Sequence, residues 1–249
     1  WADQRATKQV ADIKKAIGED EVYQITGHRI SPTYSAAKIM WVRDNERDIF
    51  DRTYKFLHAK DYIIYKLTGK FVTDYSDASG MNLFDIKKKQ WSEKILNVTR
   101  IPLKKLPSLH TSIDVVGEVT KEGSEEVSLK AGTPVVLGGG DGPCAAVGAG
   151  VVREGGCYNY IGSSSWIALA TRRPIYDPQR RTFTFSHLDP EMFMPTGTMQ
   201  SAGGSYQWLK ENVCQMESCA AEKMGIDPYE IMNLRAESVE PGANNLLFL

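Results

Sequence analysis

Between residues 135 and 150 the chain reads VVLGGGDGPCAAVGAG, six glycines set around a single carboxylate, Asp141. The apolar run before it has the composition of a strand, and the small residues after Pro143 that of a helix start. In open α/β sheets ligands gather at the carboxyl ends of strands, which is where Asp141 falls. The glycines remove Cβ atoms, so a ligand can come close to the backbone. A carboxylate there could take a proton from a substrate hydroxyl or hold a metal through water. Equally, it could cap the following helix, with Pro143 in the first turn. Taken alone, this turn leaves the two readings balanced.

Two further small-residue turns follow. Gly162-Ser163-Ser164-Ser165 sits between two β-rich runs, where N–H and O–H donors together suit phosphate oxygens; a plain turn is the competing reading. Ser201-Ala202-Gly203-Gly204 opens the helical stretch SYQWLKENV, and a helix start favours anions through its unpaired N–H groups. Neither glycine series fits a dinucleotide fingerprint. From Gly138 the pattern runs to Pro143 and from Gly148 to Arg153, so the third small residue fails both times. No Walker-type G-x-x-x-x-G-K-[ST] occurs.

The elements that must position these turns change character along the chain. Residues 2–17 place Ala6, Val10, Ile13 and Ile17 on one helical face, with Gly18 as a stop. Ser31-Pro32 reads as a cap-then-proline opening for SAAKIMWVRDN, and HAKDYIIYKLTG at 58–69 as a helix ended by Gly69. Residues 70–90 read as irregular, followed by a short helix near Trp91, Ile95 and Leu96. Beyond them VVGEV, TPVVLGG, GCYNYIG, WIALATR and RTFTFSHL read as strands, with hairpins at Gly162–Ser164 and at Asp189-Pro190. Helices are then expected from about Gly204 and from about Pro228, with a strand in the last residues. The expected class is mixed α/β, with a boundary just past the glycine-rich turn.

Composition excludes several function classes. With 42% apolar and 24% charged residues and a net charge of −1, the chain has an ordinary globular make-up and no basic surface for nucleic acid. No stretch approaches the roughly 18 apolar residues of a membrane span. The cysteines at 144, 157, 214 and 219 show no metal-like spacing with the four histidines, and are expected to be reduced and mostly buried. Trp41, Trp91 and Trp208 lie on helical segments and are expected in the core. His28, His58, His110 and His187 carry no triad signal, and Asp74 and Asp77 could cap turns as easily as touch a ligand, so they are left out of the expected site.

Taken in order, the motifs resemble those of the FGGY family of carbohydrate kinases. The resemblance rests on Trp1-Ala2-Asp3-Gln4-Arg5-Ala6, on Ser31-Pro32-Thr33-Tyr34-Ser35-Ala36-Ala37-Lys38 with Trp41, and on Thr73-Asp74-Tyr75-Ser76-Asp77-Ala78-Ser79. It continues through Thr133-Pro134-Val135-Val136, GGGDGPCAAVGAG, Gly162-Ser163-Ser164 and SAGGSYQW. Within the family, WADQRA and ASGMNLFDIKKKQWS are most similar to pentulose kinases of the xylulokinase type. The resemblance implies an α/β, ribonuclease H-like, actin-like fold of two lobes, with sugar and ATP meeting between them. Residues 1–147 would be part of the sugar-binding lobe and 148–249 the first part of the nucleotide lobe.

Residue by residue, the resemblance implies that Asp141 is the catalytic base and that Gly142 lies beside the sugar. Trp1 matches a substrate-flanking tryptophan. Thr33 stands where glycerol kinases carry a substrate-touching tyrosine, a departure that argues against glycerol. Gly162, Ser163 and Ser164 match the turn near the terminal phosphates, and Gly203 and Gln207 match positions lining the nucleotide. The implied reaction is ATP-dependent phosphorylation of a ketopentose such as xylulose, with Mg²⁺, in the cytoplasm. Homodimers are frequent in the family. Another sugar, a polyol or an aldonate, or a non-catalytic sugar sensor, are the alternatives. The family's Asp-x-Gly-[Thr/Ser] phosphate and metal motif, and its later adenosine segment, are absent from these 249 residues. The chain is thus expected to be the middle of a longer kinase and, alone, to turn over little sugar.

Overall fold

The computed structural model describes residues 2–246, so Trp1 and residues 247–249 lie outside it. The described residues form two compact units, 2–158 with 167–197, and 159–166 with 198–246.

In the first unit α1 (Thr7–Ile17) and α2 (Glu19–Thr26) are separated by Gly18, whose φ of 85° stops the first helix. The acidic first turn of α2, Glu19-Asp20-Glu21, complements the helix dipole. Helices α3 (Ser35–Asn45), α4 (Arg47–Arg52) and α5 (Ala59–Thr68) follow. Residues 70–90, expected to be irregular, instead hold β1 (Val72–Asp74), α6 (Tyr75–Ser79), β2 (Phe84–Asp85) and β3 (Gln90–Trp91). These elements are too short to show a period, and the Asp74 side chain makes the strand-to-helix switch by accepting from the amides of Ser76 and Asp77. Then come α7 (Glu93–Thr99), capped by Ser92, β4 (Ser108–His110) and β5 (Val115–Glu118). The series continues with α8 (Lys121–Val127), β6 (Pro134–Val136) and α9 (Asp141–Gly148).

Strand β1 pairs in parallel with β4, and β5 antiparallel with β6. All three residues of β1 are buried, as befits a parallel strand covered on both faces. A large core packs Ile13, Val22, Ile39, Leu83, Phe84 and Ile95. A smaller one, Ile64, Val72, Val116, Val119, Val135 and Leu137, lies under the β5–β6 ladder. Strands β7 (Cys157–Ile161), β8 (Ser165–Leu169), β9 (Phe183–Ser186) and β10 (Phe193–Met199) form a four-stranded sheet of order β7-β8-β10-β9. Both expected hairpins are present in it, and β9 and β10 pair antiparallel from Phe193 opposite Ser186. The second unit holds three helices among its described residues: α10 (Gly203–Asn212), α11 (Gln215–Met224) and α12 (Pro228–Glu237). The strand expected in the last residues falls mostly on 247–249, outside the described residues. No helix among the described residues is long and apolar enough to cross a membrane.

Three local expectations are corrected. Ser31 does not cap α3: its Oγ bonds Thr33 Oγ1 at 2.9 Å, and the helix starts at Ser35 behind Tyr34. Pro32 restricts the residue before it, so the Ser-Pro pair makes a turn ahead of the helix. The cysteines are unpaired as expected but not buried, since Cys144, Cys157 and Cys219 are exposed. Trp91 is a core residue at 8% exposure, whereas Trp208 is 49% exposed on α10.

Candidate active site

Asp141 is the first residue of α9, with Gly140 as the residue that caps it. Its carboxylate Oδ1 accepts the Gly142 amide at 2.7 Å. Oδ2 has no hydrogen bond among the described residues, and the side chain is exposed in the helix's first turn. The local bond therefore leaves one carboxylate oxygen open to solvent or ligand, and the favourable end of the helix dipole supports the charge. Asp141 is therefore not the cap that the sequence allowed it to be: Gly140 holds that position, and among the described residues the carboxylate of the first helical residue bonds only the next amide.

The turn before it is anchored from outside. The Gly138 amide donates to Ser112 O at 2.9 Å, and the Gly140 amide to Ser76 Oγ at 3.0 Å. Between them, a Cβ on Gly139 would collide with Leu188 Cδ2 and come within 2.9 Å of Ser76 Oγ. Gly139 thus admits the protein's own packing rather than a ligand, a correction to the expectation that every glycine here clears space for substrate. The Gly140 and Gly142 positions are the ones that border the open carboxylate.

Beneath the turn lies a charge network that sequence reading missed. Asp74 is fully buried; its Oδ2 accepts the Ser76 hydroxyl at 2.5 Å, the Ser76 amide at 2.9 Å and the Ser112 hydroxyl at 2.6 Å. Lys60 Nζ stands 3.2 Å from Asp74 Oδ1, 2.8 Å from Asp61 Oδ1 and 3.8 Å from Asp77 Oδ2. Burial works against the Lys60 charge, but the three carboxylates outweigh it and hold its pKa above the ordinary value. His58 bridges Asp77 through Nδ1 at 2.8 Å and Ser35 through Nε2 at 2.8 Å. Burial disfavours its charged form, yet the hydrogen bond and charge of Asp77, with the charge of Asp61, raise its pKa. Burial likewise would raise Asp77, and His58 and Lys60 reverse this and lower it. Only the network's local pieces have a sequence cue, Asp61 three positions after His58 and Asp74-x-Ser76-Asp77 at a strand end, and neither cue shows the long-range partners.

The Ser35, His58 and Asp77 chain has the spacing of a nucleophilic triad and borders a cavity of about 180 Å³. The amide of Ala36, the neighbour of Ser35, is already given to Met81 O at 2.9 Å, so it cannot serve as an oxyanion donor. His58, Asp61 and Asp77 are also the one group among the described residues with metal-ligand spacing. The Lys60 ammonium already supplies the cation to both carboxylates, so these residues do not fit Mg²⁺. Asp141 is not one of that group.

Of the other expected sugar-side residues, Thr33 is half-buried in the loop before α3, with its Oγ1 held by Ser31; no hydrogen bond joins it to Asp141. Trp1 lies outside the described residues. In the second unit the hairpin tip and the start of α10 come together. The Ala202 amide donates to Ser163 O at 2.8 Å, Gly203 N to Gly162 O at 2.8 Å and Gly204 N to Ser163 O at 3.2 Å. A Cβ on Gly203 would collide with the Gly162 carbonyl, so glycine is required for this backbone approach. The first amides of α10 are therefore spent on carbonyls and not offered to an anion, which corrects the expectation for that helix start. Exposed Ser163 and Ser164 keep their hydroxyls available. Gln207 is exposed one turn along α10 and donates through Nε2 to Glu211 Oε1 at 2.8 Å. A cleft of about 290 Å³, lined by Met199, Ser201, Ala202, Ser205, Tyr206 and Leu209, lies on this helix face.

Residues 1–148 match the FGGY family of carbohydrate kinases, N-terminal domain. The chain is 30% identical over 248 residues to a xylulose kinase of Staphylococcus xylosus, covering 100% of this chain and 49% of that protein. It is 28% identical over 248 residues to a gluconokinase of Bacillus subtilis (strain 168), covering 100% and 48% respectively. The crystal structure of xylulose kinase from Rhodospirillum rubrum superposes with a TM-score of 0.85 at 26% identity, over 96% of this chain and 47% of that one. The chain spans about half the length of the curated relatives it matches. Its mixed α/β architecture is that of the sugar kinases with the actin-like fold. The match over residues 1–148, more than half of the chain, places it in the FGGY family of carbohydrate kinases.

Proposed function

We propose that the polypeptide to which these residues belong moves the γ-phosphoryl group of ATP to a hydroxyl of an open-chain ketose, a ketopentose such as xylulose. The observation that carries this reading is Asp141, an exposed carboxylate with one oxygen open, on a turn stripped of side chains. The relatives named xylulose kinase support the substrate class. In this reading 1–147 belongs to the sugar lobe and 148–249 opens the nucleotide lobe. Asp141 orients the attacking hydroxyl and takes its proton as the new bond forms. Trp1, Thr33 and Gly142 border the sugar. Gly162 and the hydroxyls of Ser163 and Ser164 meet the terminal phosphates, while Gly203 and Gln207 border the nucleotide. Phosphoryl transfer depends chiefly on such positioning and on neutralising charge. The reaction belongs in the cytoplasm, where ATP is abundant, and the assembly carried over from the resemblance is a homodimer.

The gluconokinase relatives favour a second reading, an aldonate as acceptor. A panel of ketoses, polyols and aldonates, each with Mg-ATP and the kinase polypeptide, separates the two by sugar-dependent ADP formation. The proposal expects the largest kcat/KM with a ketopentose. A preference for gluconate moves the assignment to the second reading, and no ADP with any member of the panel overturns both.

A further inference from the structure

We propose that buried Asp74 and its partner Ser76 are positioning residues for Asp141, fixing both ends of the glycine turn that presents the base. The inference rests on the reading of Asp141 as the base and adds the device that aims it. A turn of three glycines, 138–140, has no side chains with which to hold itself, and free glycine backbone is the most mobile kind. Its two outward amides are held by Ser112 O and by Ser76 Oγ. Both of those residues donate their hydroxyls to the same atom, Asp74 Oδ2.

The polarity of this arrangement is fixed by proton count. A serine hydroxyl has one proton, and that of Ser76 goes to Asp74 at 2.5 Å, leaving its lone pairs to face the Gly140 amide. The bond to a carboxylate is charge-assisted and sharpens the acceptor on Ser76. Asp74 in turn has no freedom of its own. It is fully buried, its Oδ2 receives three donors, and Lys60 pairs with its other oxygen. Lys60 ties the same network through Asp77 and His58 to Ser35, the first residue of α3, two positions after Thr33. The turn bearing the base and the loop expected beside the sugar thus hang on one set of charges built on buried Asp74, with half-buried Lys60, Asp77 and His58. A displacement on the order of 1 Å at a reacting group costs about a hundredfold in rate, so the register of Gly140 matters to catalysis.

The test uses Ser76→Ala and Asp141→Asn in the kinase polypeptide, with hydrogen exchange at Gly140 as a readout besides activity. Ser76→Ala should lower kcat by about 10- to 100-fold while KM for the sugar changes by less than about threefold. Exchange of the Gly140 amide should accelerate, and Ser76→Thr, which keeps the hydroxyl, should restore both. In the Asp141→Asn background, Ser76→Ala should cost little more, because the residue it aims is already disabled. Should Ser76→Ala fold poorly, Ser112→Ala, which leaves the Gly138 bond in place, should still speed exchange across the turn. An unchanged kcat in Ser76→Ala, unchanged Gly140 exchange, or the same fold-loss with and without Asp141 overturns the proposal. If Asp141→Asn is itself active, the base reading fails; if it is inactive and Ser76→Ala is not impaired, only the positioning role fails.

Discussion

Replacing Asp74 by asparagine keeps the shape of the side chain and removes its charge, in a site with no access to water. Asp74 receives donors on both oxygens: Ser76 N–H, Ser76 O–H and Ser112 O–H on Oδ2, and Lys60 with the Asp77 amide on Oδ1. Asparagine can place its carbonyl toward one set only. With the carbonyl toward the serines, its NH₂ faces the Lys60 ammonium, donor against donor. With the amide turned over, NH₂ meets the Ser76 amide, which cannot rotate away. Breaking a buried ion pair from one side costs about 3–5 kcal/mol. Lys60 keeps Asp61 at 2.8 Å, which softens the loss, so about 2–3 kcal/mol is expected for Asp74→Asn. Urea unfolding of the chain followed by near-ultraviolet circular dichroism measures this as a lower midpoint at constant slope. A loss below about 0.5 kcal/mol, within the range of ordinary surface substitutions, would mean that Asp74 does not hold this network together.

Three other outcomes follow from the geometry. Gly203→Ala drives a Cβ into the Gly162 carbonyl, backbone against backbone, and should destabilise the hairpin tip by about 1–3 kcal/mol; faster exchange at the Gly203 and Gly204 amides reads it, and unchanged exchange refutes it. His58 has a folded pKa above its ordinary value, so its contribution is complete below about pH 6.5 and is lost as pH rises through the folded value. The stability gap between the parent chain and His58→Gln should accordingly narrow from pH 6 to pH 9, and a gap independent of pH would contradict the pairing with Asp77. Cys144, Cys157 and Cys219 should react with a thiol reagent in the native chain, and three protected thiols would restore the buried reading that the structure corrects.

The glycine run before Asp141 was legible because it marks a change from strand to helix with no side chains between, a pattern carried by neighbouring residues. The same holds for Gly69 behind α5 and for Pro228 at the head of α12, where cap chemistry is local. Helix α11 escaped notice because QMESCAAEKM buries only Ala221 and shows no apolar stripe. For Trp208, expected in the core but 49% exposed, a helical position fixes its neighbours on α10 but not which face is covered. The network under the turn was invisible for a different reason. Ser76 and Gly140 stand 64 positions apart, and Asp74 and Ser112 stand 38 apart; the parallel pairing of β1 with β4 brings Ser112 beside Asp74, and backbone bonds from Leu137 and Gly138 to the 112–114 segment bring in the glycine turn. His58 looked inert in sequence because both its partners, Ser35 and Asp77, are distant in the chain.

The central claim is that Asp141 acts as the base of a sugar kinase, and one variant tests it most directly. Asp141→Asn in the kinase polypeptide should abolish sugar-dependent ADP formation from Mg-ATP, while calorimetry shows the ketose still bound with an affinity close to the parent's. Asparagine keeps the hydrogen-bonding contour at the start of α9 and loses only the capacity to take the proton. Activity surviving at more than about a few per cent of the parent rate, far above the loss expected for a missing base, would contradict the account.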